Sequence, residues 1–258
     1  MSVIACYNIK GGVGKTSAAI NLAYLAALEG KKTLLWDLDL QGSATYLLGL
    51  PAPERKSLKV FHGGKSAVKK RLQPTPYKNL DILPADFSLH ELNRHLDKAQ
   101  KPTIQLRKRL ESLRKKYDHI IIDSPSGYSM LSKNVIRAID LLLIPVLPNA
   151  LAMDTFETLR KQVKEDSAED LLVFPFFSMV DRRKQLHREV TGLHVNGTRG
   201  FLHASIPYSS KIEQMATEQA PLATFDTRSA AAKAYNALWN EIKTNVGMYE
   251  RVKQIKMW

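Results

Sequence analysis

The chain has 258 residues with 44% hydrophobic and 24% charged side chains, globular values that allow a proper core to be buried as one α/β domain. No apolar run approaches the roughly 18 residues of a membrane span, and the opening MSVIACYN lacks the basic n-region and long apolar stretch of a signal peptide, so a cytoplasmic location is expected. The 38 Lys and Arg against 25 Asp and Glu leave a net charge of +13, which favours a polyanionic partner, and the single Cys6 excludes an internal disulfide or a cysteine-held metal cluster.

Short apolar runs alternate with helical patterns along the chain. SVIACYN leads into a helix through KTSAAINLAYLAALEG, closed by Gly30, and then KTLLWDLD. LDILPA, HIIIDSP, LLLIPVLP, LLVFPFFSMV and FLHASIP follow, most of them separated by helix-like segments. Continuous rather than alternating apolar runs mark strands covered on both faces. The expected fold is therefore a doubly wound α/β domain, a mainly parallel sheet flanked by helices. It should span 1–258 as one unit, with a mobile basic insert at 51–78, where Pro, Gly and Lys concentrate, and a C-terminal helix at about 227–258. Positive charge clusters between Arg55 and Lys78, in RKRLESLRKK and in DRRKQLHR, as a nucleic-acid or anionic-membrane partner would require.

Gly11, Gly12, Val13, Gly14, Lys15 and Thr16 form GGVGKT, which follows one expected strand and opens one expected helix. Backbone N–H groups and the helix dipole favour phosphate at such a place. Lys15 is expected to reach the β and γ phosphates of a nucleotide, and the Thr16 hydroxyl to coordinate Mg²⁺. The spacing departs from the ordinary phosphate loop, because Ile9 stands where its first glycine belongs and Lys10 precedes a Gly-Gly pair.

Two places offer carboxylates for the metal and the chemistry. IIID ends an apolar strand in Asp123, the arrangement that holds Mg²⁺ through water at the carboxyl edge of a parallel sheet. WDLD sets Asp37 and Asp39 two residues apart, on one side of a continuing strand. On these residues alone, capping the following turn is at least as good a reading of the pair as catalysis.

KGGVGKTS resembles the deviant Walker A motif of the ParA/MinD family of ATPases, and nearly the whole chain carries matching segments in the same order. LLWDLDLQGSATYLLG resembles the DxDPQGNAT motif, YDHIIIDSPSG the Walker B strand and DxPP turn, and SMVDRRKQLHREV the T-M-x-D-x-R segment. IPYSSKIEQMATEQAP and RSAAAKAYNALWNEI resemble the last two blocks. The resemblance implies a P-loop fold, ATP and Mg²⁺ as ligands, and weak, partner-stimulated ATP hydrolysis. It implies that Lys10 reaches across a dimer to the partner's ATP, that Asp39 positions the attacking water and that Asp37 lies near the magnesium. Ser17 would contact the α-phosphate, and Pro207 of the I-P block would line the nucleotide. Leu40, Ser43 and Ser126 replace the usual proline, asparagine and second DxPP proline, which touches switching and rates more than fold.

The chain resembles the short ParA/Soj-like members, since no helix-turn-helix precedes the phosphate loop. That implies a homodimer with ATP that binds double-stranded DNA non-specifically, associates with the nucleoid and moves a cargo through a ParB-like or adaptor partner. The resemblance places DNA contacts at Arg183 and Lys211, with Arg182 and Lys184 adjacent, while Tyr208 stands where the family often has arginine. The alternative is a MinD-like regulator held on membrane by a stripe of Met248, Tyr249, Val252, Ile255 and Trp258 beside Arg251, Lys253 and Lys256. Redox and metabolic relatives of the fold fit less well: a nitrogenase-iron-protein role needs two cysteine ligands per subunit where only Cys6 exists, and a tyrosine-kinase relative would usually carry a tyrosine cluster where Tyr249 stands alone.

Overall fold

The computed structural model describes residues 2–51, 68, 70–85, 96, 98, 105–168, 170–195 and 200–255. Seven strands among them form one sheet: β1 Ser2–Cys6, β2 Thr33–Asp37, β3 Gln73–Pro74, β4 Leu80–Leu83, β5 His119–Asp123, β6 Leu141–Val146 and β7 Leu172–Phe177. Their order is β3-β4-β2-β5-β1-β6-β7, and every neighbouring pair is parallel except β3 with β4. From β1 the chain builds outward first through β2 and later through β6 and β7. The sense of winding therefore reverses at β1, where ligands of open α/β sheets bind at the carboxyl ends of the strands.

Among the described residues the helices are α1 Lys15–Leu28, α2 Ser43–Leu47, α3 Gln105–Leu113, α4 Met130–Ala138, α5 Ala150–Asp166, α6 Gln185–Val195, α7 Ser210–Glu218, α8 Leu222–Phe225 and α9 Ala230–Ile255. Side chains alternate across each strand, so two cores form. Val3, Ala5, Leu34, Trp36, Ile120 and Ile122 face a layer of α3, α4 and α5, whose Leu106, Leu110, Val135, Phe156 and Leu159 are buried there. Ile4, Cys6, Leu35 and Ile121 face α1 and α9, which contribute Ala19, Leu22, Ala26, Tyr235, Leu238 and Trp239. The small residues of α1 let it lie close to the sheet, which fixes where its first turn points.

One expectation changes. FLHASIP is not a strand: it follows the edge of β7 only through Leu202 N–H to Pro175 O (2.8 Å) and Ile206 N–H to Phe177 O (2.8 Å), with an isolated parallel bridge at Pro207. Its His203 and Ala204 N–H groups donate instead to the Glu241 carboxylate of α9, at 2.7 Å each, which pulls the backbone out of the ladder. Within 51–78, residues 52–67 and 69 lie outside the described residues, whereas 73–74 form the antiparallel edge strand β3. Among the described residues no helix is long and apolar enough to cross a membrane.

Candidate active site

The loop from Asn8 to Gly14 leaves the carboxyl end of β1, at the winding reversal, and enters α1 at Lys15. Asn8 shapes its start: the buried side chain donates to Pro145 O (2.8 Å) and accepts the Lys10 N–H (3.0 Å), an Asx-type turn. Gly12 and Gly14 have φ of 70° and 93°, in the left-handed region that glycine alone enters without strain. At Gly14 there is a second constraint, because a Cβ there would lie 2.8 Å from Ser178 Oγ. Gly14 caps α1 without a side-chain hydrogen bond, and no acid stands in the first turn. The N–H groups opening α1 are thus available to an anion, aided by the helix dipole. Gly11 and Gly12 are exposed, Val13 is buried, and Thr16 and Ser17 are half-buried on the first turn.

Lys15 is buried, and its Nζ donates to Lys10 O (3.1 Å) and to Ser126 Oγ (2.7 Å). Burial lowers the proton affinity of its ammonium, and the charges of Asp123 and Asp39 pull it back up. Lys10 itself is half-buried beside this ammonium, held by its backbone rather than by its side chain.

Asp37 and Asp123 end adjacent strands and face one another in register. Asp123 is fully buried, and neither oxygen completes a hydrogen bond; the Thr16 hydroxyl lies near enough to ease its charge without closing one. Burial, then Asp37, raise its proton affinity well above the ordinary carboxylate range, and Lys15 offsets part of that. A buried carboxylate without donors is costly in an empty site and suits a hard cation, which takes oxygen ligands from protein, phosphate and water. No three His, Cys, Asp or Glu side chains converge among the described residues, so a magnesium ion here would draw most of its ligands from nucleotide and water. Asp123 and Thr16 fit it.

Asp37 is occupied differently. Its Oδ2 accepts from Thr45 N–H (2.9 Å) and Thr45 Oγ1 (2.8 Å), and its Oδ1 accepts the Asp39 N–H (3.2 Å). Burial raises it to about 6 despite those donors. Asp39 is half-buried, accepts the Gln41 N–H (3.0 Å) and stands open toward the loop carrying exposed Leu40. Both acids therefore cap turns in this structure, the alternative that the residues alone left open.

The remaining candidates surround the same end of the sheet. Arg182, Arg183 and Lys184 lie in the turn between β7 and α6, and Lys211 in the first turn of α7. Tyr208 N–H donates to Val180 O (3.1 Å), which joins the two segments, and Pro207 forms its bridge there. Arg183 makes a two-pronged ion pair with Asp181 (2.9 Å for each bond), while Lys211 stands 3.7 Å from Asp226. On α9, Met248 is exposed and the Tyr249 hydroxyl reaches Asp170 (3.4 Å). The side chains of Arg251, Val252, Lys253 and Ile255, and all of Lys256 and Trp258, lie outside the described residues.

A family model described as an AAA domain matches residues 1–171. The chromosome-partitioning ATPase Soj of Treponema pallidum is 33% identical over 248 residues, covering 93% of this chain and 96% of that protein. The chain belongs to the ParA/Soj family of P-loop ATPases. The chromosome partitioning protein ParA of Caulobacter vibrioides is 28% identical, covering 99% of this chain and 97% of its own. A putative plasmid partition protein of Borrelia burgdorferi bound to AMPPNP has the same fold, with a TM-score of 0.80 at 24% identity over 95% of this chain and 99% of that one.

In this ParA/Soj-family chain Asn8 and Ser178 escaped the sequence reading, and Ser126 was read only as a departure from the DxPP turn, without its contact to Lys15. Asn8 carries a local signal, an Asn two residues before the turn it shapes. Ser178 against Gly14 and Ser126 against Lys15 meet only in the fold, 164 and 111 residues apart along the chain.

Proposed function

We propose that the chain is an ATP-hydrolysing, ATP-dependent dimer that binds DNA without sequence preference and positions a cargo through a ParB-like or adaptor partner, in the cytoplasm and on the nucleoid. The observation that carries the reading is the pairing of an open α1 N-terminus and buried Lys15 with Asp123, a buried carboxylate whose oxygens lack donors. The partitioning roles named for the relatives in Treponema and Caulobacter support it over nearly the full chain.

In this reading the loop N–H groups from Gly11 to Ser17 bind the phosphates and Lys15 neutralises the β and γ groups. Pro207 lines the nucleotide. Thr16 and Asp123 would hold Mg²⁺, with Asp37 supporting the loop beside it, and the ion would supply positive charge to the phosphates. Asp39 orients the attacking water, and hydrolysis is slow until a partner completes the site. Lys10 supplies a cation to the partner's ATP, since two nucleotides buried face to face gather negative charge.

Dimerisation through this face is supported by where apolar surface is exposed. Leu40, Tyr46, Tyr128, Leu151, Leu186 and Tyr208 are all exposed on segments that follow the carboxyl ends of the strands, around the loop. Arg182, Arg183, Lys184 and Lys211 rim the same end and would meet DNA phosphates, which carry affinity without sequence information. Arg183 would have to exchange its two-pronged pair with Asp181 for phosphate, whereas Arg182 and Lys184 beside it are exposed. The test is ATP turnover with and without Mg²⁺ in wild type and Lys15→Ala. Mg²⁺-dependent turnover abolished by the substitution is expected, and equal turnover in both proteins would overturn the reading.

A further inference from the structure

Ser126 is exposed at the rim of the loop after β5, yet its Oγ lies 2.7 Å from the buried Lys15 Nζ. The serine oxygen accepts that ammonium proton, so the hydroxyl proton remains to be donated, and none of the described residues is found to accept it. A hydroxyl that accepts from a cation is also a stronger donor. Lys15 Nζ spends two of its three protons on Lys10 O and Ser126 Oγ, which leaves one N–H beside one O–H. The position of this pair is secured by backbone ties. Gly127 N–H donates to Ile9 O (2.9 Å), the Tyr7 hydroxyl donates to Gly127 O (2.9 Å), and Ser126 Oγ would sit 3.6 Å from a Cβ on Gly11. The tie at Tyr128, whose hydroxyl donates to Asp166, anchors the far side of the same turn.

Two adjacent donors at the mouth of the cradle suit an anion with at least two oxygens. Ser126 follows Asp123 by three residues, and the phosphate that reacts must lie within reach of both the Asp123 end of β5 and Asp39. We propose that the Ser126 hydroxyl donates to the terminal phosphate held by Lys15 and so sets the preference of this chain for the triphosphate over the diphosphate. The assignment rests on the ATPase reading. It adds a specificity-determining residue in the turn after the Asp123 strand, at a place where a proline side chain would supply neither donor nor acceptor.

The test is calorimetric binding of Mg²⁺-AMPPNP and Mg²⁺-ADP to wild type, Ser126→Ala and Ser126→Thr. Since the side chain is exposed, neither substitution disturbs the core. Loss of one charge-assisted hydrogen bond predicts AMPPNP binding weakened about tenfold or more in Ser126→Ala, with ADP affinity changed by less than about twofold. Ser126→Thr keeps the hydroxyl and restores the AMPPNP preference. Equal weakening of both nucleotides, or no change in either, overturns the assignment while leaving the ATPase reading intact. Wild type that binds neither nucleotide overturns both.

Discussion

Replacing Asp37 by Asn should make the metal-free, nucleotide-free protein more stable at pH 8 and less stable at pH 4. Burial pushes the folded carboxyl up to about 6 from an ordinary 3.8. Below 3.8 it is neutral in both states and costs nothing. As pH rises toward 6 only the unfolded chain ionises, so stability falls, and above 6 the loss is constant. That difference corresponds to about 3 kcal/mol at about 1.36 kcal/mol for each tenfold change. Asparagine removes this cost and its Oδ1 can still accept both Thr45 donors. Its NH₂ group, however, would face the Asp39 N–H, losing a hydrogen bond worth about 1 kcal/mol. At pH 4, just above 3.8, the ionised fraction of the unfolded chain already costs the native protein about 0.5 kcal/mol, so the net is a gain of about 2 kcal/mol at pH 8 and a loss of about 0.5 kcal/mol at pH 4. For a chain of this length the pH 8 gain would raise the melting midpoint by roughly 4–8 °C. Thermal denaturation in a chelating buffer across pH 4–8 measures it. A difference between the two proteins that does not vary with pH, or a lower midpoint for Asp37→Asn at pH 8, would refute the burial argument.

Lys10→Gln should abolish ATP-dependent dimerisation while nucleotide affinity, by calorimetry, falls less than about threefold, because its side chain makes no bond within its own subunit's loop. Gly14→Ala should lower the melting midpoint, since a left-handed φ and a Cβ 2.8 Å from Ser178 Oγ together cost roughly 2–4 kcal/mol. Ser178→Ala in the same chain should recover only the packing share, and an unchanged midpoint for Gly14→Ala alone would contradict the geometry. Arg183→Glu with Lys211→Glu should remove ATP-dependent retention of random-sequence duplex in a mobility-shift assay while leaving dimer mass unchanged. Wild-type binding should fall steeply with salt.

What could be read in the sequence was set by local causes. HIIID and LLLIPV announce buried parallel strands because their apolar residues run without alternation, interrupted only by His119 at the start and Asp123 at the end of the first, and GGVGKT announces its loop because the glycines and the helix it opens are contiguous. FLHASIP reads equally well as a strand, but Glu241, about forty residues later, takes the N–H groups that a ladder would need. Strand β3 is two residues long and contains Pro74, so no periodicity marks it; antiparallel pairing with β4 creates it. The Asp37 and Asp39 pair shows the same divide within the site. Spacing placed both acids beside the loop, but that Asp37 is consumed by Thr45 while Asp123 is left without donors depends on packing among β2, α2 and β5.

The measurement that bears most directly on the account is the mass of Asp39→Ala by light scattering in Mg²⁺-ATP and in Mg²⁺-ADP. Without the residue that orients water, ATP should persist and hold the two loop faces together. The account predicts a mass near twice the 29.0 kDa of the chain with ATP and the single-chain mass with ADP. A single-chain mass under both conditions, with ATP demonstrably bound, would contradict it.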